Sequence, residues 1–128
     1  MPNARLVESS PVGPPAANPF AVFFALADRW KLNTDQQIVL LGNPARSTFF
    51  KWKKDSGLMS ADTEERISHL LSIFKALEIL FPVADRADEW IRRPNQFFEG
   101  RTALEVMLGG KLADIIRVRT YLDAQRGG

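Results

Sequence analysis

Histidine, cysteine and facing carboxylates are where a 128-residue chain would keep catalytic or metal chemistry, and here they are almost absent. His69 is the single histidine. It falls in the middle of a helical pattern with no partner at ligand spacing, so it reads as a satisfied or half-exposed helix residue and not as a metal ligand. The lack of cysteine excludes a disulfide framework, a thiolate metal site and a cysteine nucleophile. Glu64-Glu65 and Asp88-Glu89 are adjacent pairs, which a helix points in different directions, so neither pair is arranged for general acid/base work. No HExxH, nucleophile elbow or P-loop occurs, and Leu108-Gly109-Gly110 lacks the lysine and the preceding strand of a phosphate cradle. The expectation is a protein that is not an enzyme, with no catalytic residue, no metal site, no cofactor and no small-molecule substrate.

The chemistry that does stand out is cationic. Net charge is only +2, but residues 29–54 carry six bases and one acid, residues 55–90 three bases and eight acids, and residues 91–128 seven bases and four acids. A basic segment beside an acidic one points to a charged partner; solvated helix faces of differing sign are the plainer explanation. Between Thr34 and Lys54, two short helical patterns join through Leu41-Gly42-Asn43-Pro44-Ala45, and the second is basic, the outline of a helix-turn-helix. In that reading Arg46, Ser47 and Thr48 offer donors to base edges in the major groove, and Lys51, Lys53 and Lys54 meet phosphates. Gln36, Gln37 and the turn residue Asn43 join the candidate DNA contacts, while Phe49 and Trp52 anchor the helix to its neighbours. A helical bundle with a basic exterior and no nucleic-acid partner is the competing reading. A DNA-binding version is expected to be a homodimer, because one such unit seldom supplies enough specificity.

The elements that must position these groups all read as helices, which makes the fold class all-α: a helix-turn-helix-like N-terminal bundle packed with a C-terminal helical domain. Residues 1–18, rich in Pro, Ser and Ala, are expected to be a disordered tail; they hold no apolar h-region of a signal peptide. Residues 19–58 form the helix-turn-helix-like region, and 59–128 a spine helix followed by the C-terminal domain. Asn18-Pro19 reads as a helix start, followed by Phe20, Phe23, Phe24, Ala27 and Trp30 at helical spacing. Asn33-Thr34 caps a second helix that Gly42 closes, and Asn43-Pro44 starts a third. Ser60 caps the spine helix, which Pro82 stops. Its apolar stripe of Ile67, Leu70, Leu71, Phe74, Leu77 and Phe81 is widened by Ile73 and Leu80 beyond one neighbour's reach, which suits a dimer. Ala84–Ile91, Ala103–Leu108 after a Thr102 cap, and Lys111–Gln125 complete the set, the last with Leu112, Ile115, Ile116 and Leu122 inward. No apolar run approaches the roughly 20 residues of a membrane span. Together with the missing cysteines this fits a cytoplasmic protein.

The densest punctuation lies in Trp90–Gly110, "WIRRPNQFFEGRTALEVMLGG". Phe97 and Phe98 are adjacent, so at least one belongs to the core, and Trp90 and Ile91 are expected to be buried or half-buried. This stretch, followed by "DIIRVRTYLDAQRGG", resembles the toxin-binding domain of the Xre/MbcA/ParS-type antitoxins. The likeness is carried by Trp90, Pro94-Asn95, Gly100-Arg101, the "ALEVML" helix and the final "VRTYLDAQRGG". With the upstream basic helix pair it spans residues 20–128. Ala103 departs from the family, which often has proline there; Thr102 is still expected to cap.

The resemblance implies a bacterial type II toxin–antitoxin system. The partner would be a cognate RES-domain toxin or a related ADP-ribosyltransferase-like protein that consumes NAD, its active site occluded by the antitoxin's C-terminal region. It also implies a homodimer that represses its own operon by binding operator DNA. Carried over by position, Trp90, Arg93, Asn95, Arg101, Arg117, Arg119, Tyr121, Arg126, Gly127 and Gly128 lie on the part expected to frame or meet the toxin. Two other readings stay open: a stand-alone transcriptional regulator whose C-terminal domain only dimerises, and a helical adaptor that binds protein and never DNA.

Overall fold

The computed structural model describes residues 19–55 and 57–127. The expected tail, the Asn18 cap and the terminal Gly128 lie outside the described residues. Within them the chain is all-α, with seven helices and no strand: α1 (Pro19–Arg29), α2 (Thr34–Leu40), α3 (Arg46–Lys54), α4 (Ala61–Leu80), α5 (Ala84–Glu89), α6 (Ala103–Met107) and α7 (Leu112–Gln125).

Local chemistry sets most of these boundaries. At α2, the Asn33 side chain accepts from the Gln36 backbone N–H while Gln36 Oε1 accepts from Asn33 N–H, a reciprocal capping box that satisfies two otherwise orphaned donors. Thr102 and Glu105 repeat the arrangement at α6, so the helix start holds without a proline at Ala103. Ser60 caps α4 by accepting from Thr63 N–H. The third helix begins later than expected. Asn43 sits at φ +61°, outside the helical region, and α3 opens at Arg46 with Ala45 in the cap position and no side-chain cap.

α4, about 30 Å long at 1.5 Å per residue, is flanked by α1 and α7. This explains the width of its stripe: Ile67, Leu70, Ile73, Ala76 and Leu77 are all buried inside one copy of the chain. Ile73 therefore needs no second copy to cover it, whereas Leu80, the other residue that widens the stripe, is only half-buried. On α7 the inward residues are Ile115, Val118 and Leu122; Leu112 and Ile116, expected inside, are only half-buried and Val118 takes their place.

One core joins both ends of the chain, from Phe20 and Trp30 through Phe49 and Leu70 to Phe98 and Leu122. The α1–α3 corner is aromatic: Phe20 stacks on Trp52 at 4.5 Å, and Phe24 meets Phe49 edge-on at 5.6 Å. Arg66 crosses between the halves. Its side chain is buried, with Nε donating to Asp62 at 2.9 Å and Nη2 to the Gly110 carbonyl at 3.0 Å. Gly42 (φ +100°) lies against it, because a Cβ there would come within 2.8 Å of Asp62 Oδ2 and 3.2 Å of Arg66 Nε. The turn before α3 and the turn before α7 are thus braced by one guanidinium.

Candidate functional site

Two faces carry the residues singled out from the sequence. The first is the outer side of α3. Phe49 and Trp52 are buried as expected, which turns Arg46, Ser47, Lys51, Lys53 and Lys54 to solvent, with Thr48 at the margin. Arg46 pairs with Asp35 at 3.0 Å. Both partners are open to water, so the pair is worth little and yields readily to a stronger anion. Among the described residues no acid pairs with Lys51, Lys53 or Lys54. Gln36 is half-buried with its carbonyl in the α2 cap, and Gln37 is buried and donates to the Leu32 carbonyl at 2.9 Å. Gln37 is therefore a structural residue and not a surface contact. Asn43 is exposed on the turn.

The sequence reading missed Phe50. It is 45% exposed, one helical turn from Arg46, whose guanidinium lies 5.7 Å from the ring centre. The signal was in the doublet itself: neighbours on a helix are roughly 100° apart, so burying Phe49 forces Phe50 outward.

The second face is built on α7 and the loop before α6. A 3₁₀ turn at Trp90–Arg92 follows α5. From there Arg92 reaches back to donate to the backbone carbonyls of Trp30 and Lys31, fixing the loop to the end of α1. Residues 94–102 close on themselves. Asn95 N–H donates to the Arg101 carbonyl and Gly100 N–H to the Asn95 carbonyl, both at 3.0 Å, and Asn95 Oδ1 accepts from Phe97 N–H at 2.8 Å. A second 3₁₀ turn, Gln96–Phe98, results; it buries Phe98 completely and leaves Phe97 55% exposed. Tyr121 on α7 is the hub, with ring centres at 4.6 Å from Phe97, 5.5 Å from Phe98 and 6.1 Å from Trp90.

Two cavities open beside Tyr121. One, of about 410 Å³, lies between Phe97 and the Arg117, Thr120, Ala124 and Gln125 side of α7. The other, of about 290 Å³, is lined by Leu80, Phe81, Trp90, Leu122 and Gln125. Arg117 lies over the Phe98 ring at 5.4 Å, and among the described residues no acid pairs with Arg117, Arg101 or Arg126.

The residues expected to meet a partner are therefore sorted by the fold. Trp90, Arg117 and Tyr121 share this face, with Asn95 holding its loop from within. Arg93, exposed, is 3.7 Å from Glu89, and Arg101 is exposed on the loop. Arg119 points the other way, 2.9 Å from His69 Nδ1 and 3.5 Å from Asp123, and this contact also accounts for the lone histidine. Arg126 and Gly127 follow the end of α7, Gly127 with φ +94°. The double glycine before α7 is a turn: a Cβ on Gly109 would lie 2.5 Å from Asp114 Oδ2, the carboxylate that accepts from Lys111 N–H at the helix start.

Residues 76–128, which contain the whole of this face, match the model of the antitoxin Xre/MbcA/ParS C-terminal toxin-binding domain. The match covers less than half of the chain and supports the antitoxin family for this C-terminal region; a toxin-binding domain of this kind implies a toxin as partner. The chain is also 66% identical over 106 residues to the uncharacterized protein y4oB of Sinorhizobium fredii (strain NBRC 101917 / NGR234), an alignment covering 83% of this chain and 82% of that protein. Among the described residues no helix is long and apolar enough to cross a membrane, and no group of three or more potential metal ligands occurs.

Proposed function

We propose that this protein neutralises a cognate NAD-consuming toxin of the RES type by binding it through the C-terminal domain and occluding its active site, and that it represses its own operon as a homodimer through α3. The observation that carries the first part is the coincidence of the toxin-binding domain match with an exposed aromatic surface that the fold holds rigid. Phe97, Tyr121 and Trp90 are restrained by ring contacts and by the closed 94–102 loop, so little conformational entropy is lost when a partner covers them. Arg117 beside them lines the same cavity as Phe97 and Tyr121 and offers charge-assisted hydrogen bonds to an acidic group on the partner.

The repressor role rests on α3. Its exposed side carries four bases, and its first turn has neither a side-chain cap nor an acid, which leaves backbone donors and the positive helix end available to a phosphate. Phe50 beside Arg46 adds an apolar group suited to a thymine methyl. The same face is what a stand-alone regulator would need, so that second reading is retained for α3 alone.

Co-expression with the product of the adjacent gene tests the proposal. The expected result is growth arrest and NAD depletion by the neighbour alone, both reversed by this protein, with the two co-purifying. A neighbour that is harmless and does not co-purify would leave only the regulator reading.

A further inference from the structure

The face around Tyr121 has an unusual composition. Its floor is apolar, formed by Phe97, Tyr121, Trp90 and Phe81, and its two cavities meet at Tyr121 and Gln125. Of the acids on the flanking segments, Glu89 lies 3.7 Å from Arg93 and Asp123 3.5 Å from Arg119, while Glu99 is exposed on the 94–102 loop; none of them pairs with Arg117. Arg117, by contrast, is unpaired among the described residues and sits on the wall of the larger cavity, oriented by the Phe98 ring beneath it. A guanidinium laid on an aromatic face keeps its edge donors free and loses little rotamer freedom on binding.

From this we propose that the groove receives an acidic, apolar-anchored segment of the toxin: one large aliphatic or aromatic side chain seated between Phe97 and α7, and an Asp or Glu carboxylate on the Arg117 guanidinium. Charge complementarity selects this occupant. A purely apolar segment would leave Arg117 desolvated without a partner, and a basic one would be repelled. The inference rests on the toxin-binding reading above and adds the place and the chemistry of contact. Phe97 and Arg117 are the anchor points, since aromatic and arginine side chains at the centre of a pocketed surface carry most binding energy in protein interfaces.

The test uses the full chain and the purified product of the adjacent gene, with affinity read by calorimetry. Phe97→Ser and Arg117→Glu should each weaken the complex about tenfold or more, while Arg46→Glu on α3 leaves it unchanged. Arg117→Lys should lose less than Arg117→Glu. Both anchor residues are exposed, and unchanged thermal unfolding of the variants verifies that the fold is intact. If the complex forms with wild-type affinity in both anchor variants, the groove proposal is overturned while the antitoxin reading stands. If the wild-type chain forms no complex, the toxin reading has failed and this inference with it. Self-association of the chain alone that Phe97→Ser abolishes, with toxin binding retained, would reassign the groove to a second copy and likewise overturn the proposal.

Discussion

At the residue scale, two of the three phenylalanine doublets, Phe49-Phe50 and Phe97-Phe98, show how one sequence feature is divided between core and surface. Phe49 and Phe98 are fully buried, whereas Phe50 and Phe97 are half-exposed, Phe50 beneath the Arg46 guanidinium and Phe97 lining a cavity with Arg117. Phe98→Ala should therefore cost about 3–5 kcal/mol of stability, and Phe97→Ala about 1 kcal/mol or less, compared by urea unfolding midpoints at constant slope. That one phenylalanine of each pair must leave the core follows from helix geometry. Which one does so depends on the register of α3 against α1 and on the Asn95-capped turn, neither of which spacing alone encodes. Gly42 is another position with a large expected effect. Alanine there combines a left-handed backbone conformation with a 2.8 Å clash on Asp62, and it should destabilise by about 1–3 kcal/mol.

At the element scale, the helices were legible because caps, stripes and breakers agree: Asn33, Ser60 and Thr102 all cap, and Pro82 follows the end of α4. Thr102→Ala should cost about 1 kcal/mol, measurable as a lowered denaturation midpoint. The start of α3 was less legible, since Asn43-Pro44 has the composition of a helix start while Asn43 adopts a left-handed turn. The basic side of α3 carries its own prediction. In a promoter-fragment binding assay, substituting Lys51 and Lys53 together with alanine should reduce the slope of log affinity against log salt by roughly two phosphate contacts, about 0.9 each. If no duplex from its own promoter binds at any salt, the repressor reading of α3 fails.

At the scale of the whole molecule, a continuous core and the Arg66 bridge connect the two candidate faces. Unfolding of the unaltered chain followed by tryptophan fluorescence and by helical circular dichroism should give coincident transitions; separated transitions would show that parts of the fold unfold independently. A single cooperative unit would hold the two proposed surfaces, for DNA and for toxin, on one frame. The residue types of the C-terminal face were visible in the sequence, but the groove was not. It exists only because the closed 94–102 loop brings Phe97 beside a helix that begins more than a dozen residues later, and because Arg119, identical in type to Arg117, faces α4 instead.

The most direct test of neutralisation by occlusion is the NAD consumption rate of the purified product of the adjacent gene, titrated with this protein. The account predicts that activity falls to background at a fixed stoichiometric ratio, and that Arg117→Glu shifts the titration to higher concentration. A toxin that binds the protein yet consumes NAD at an undiminished rate would contradict it.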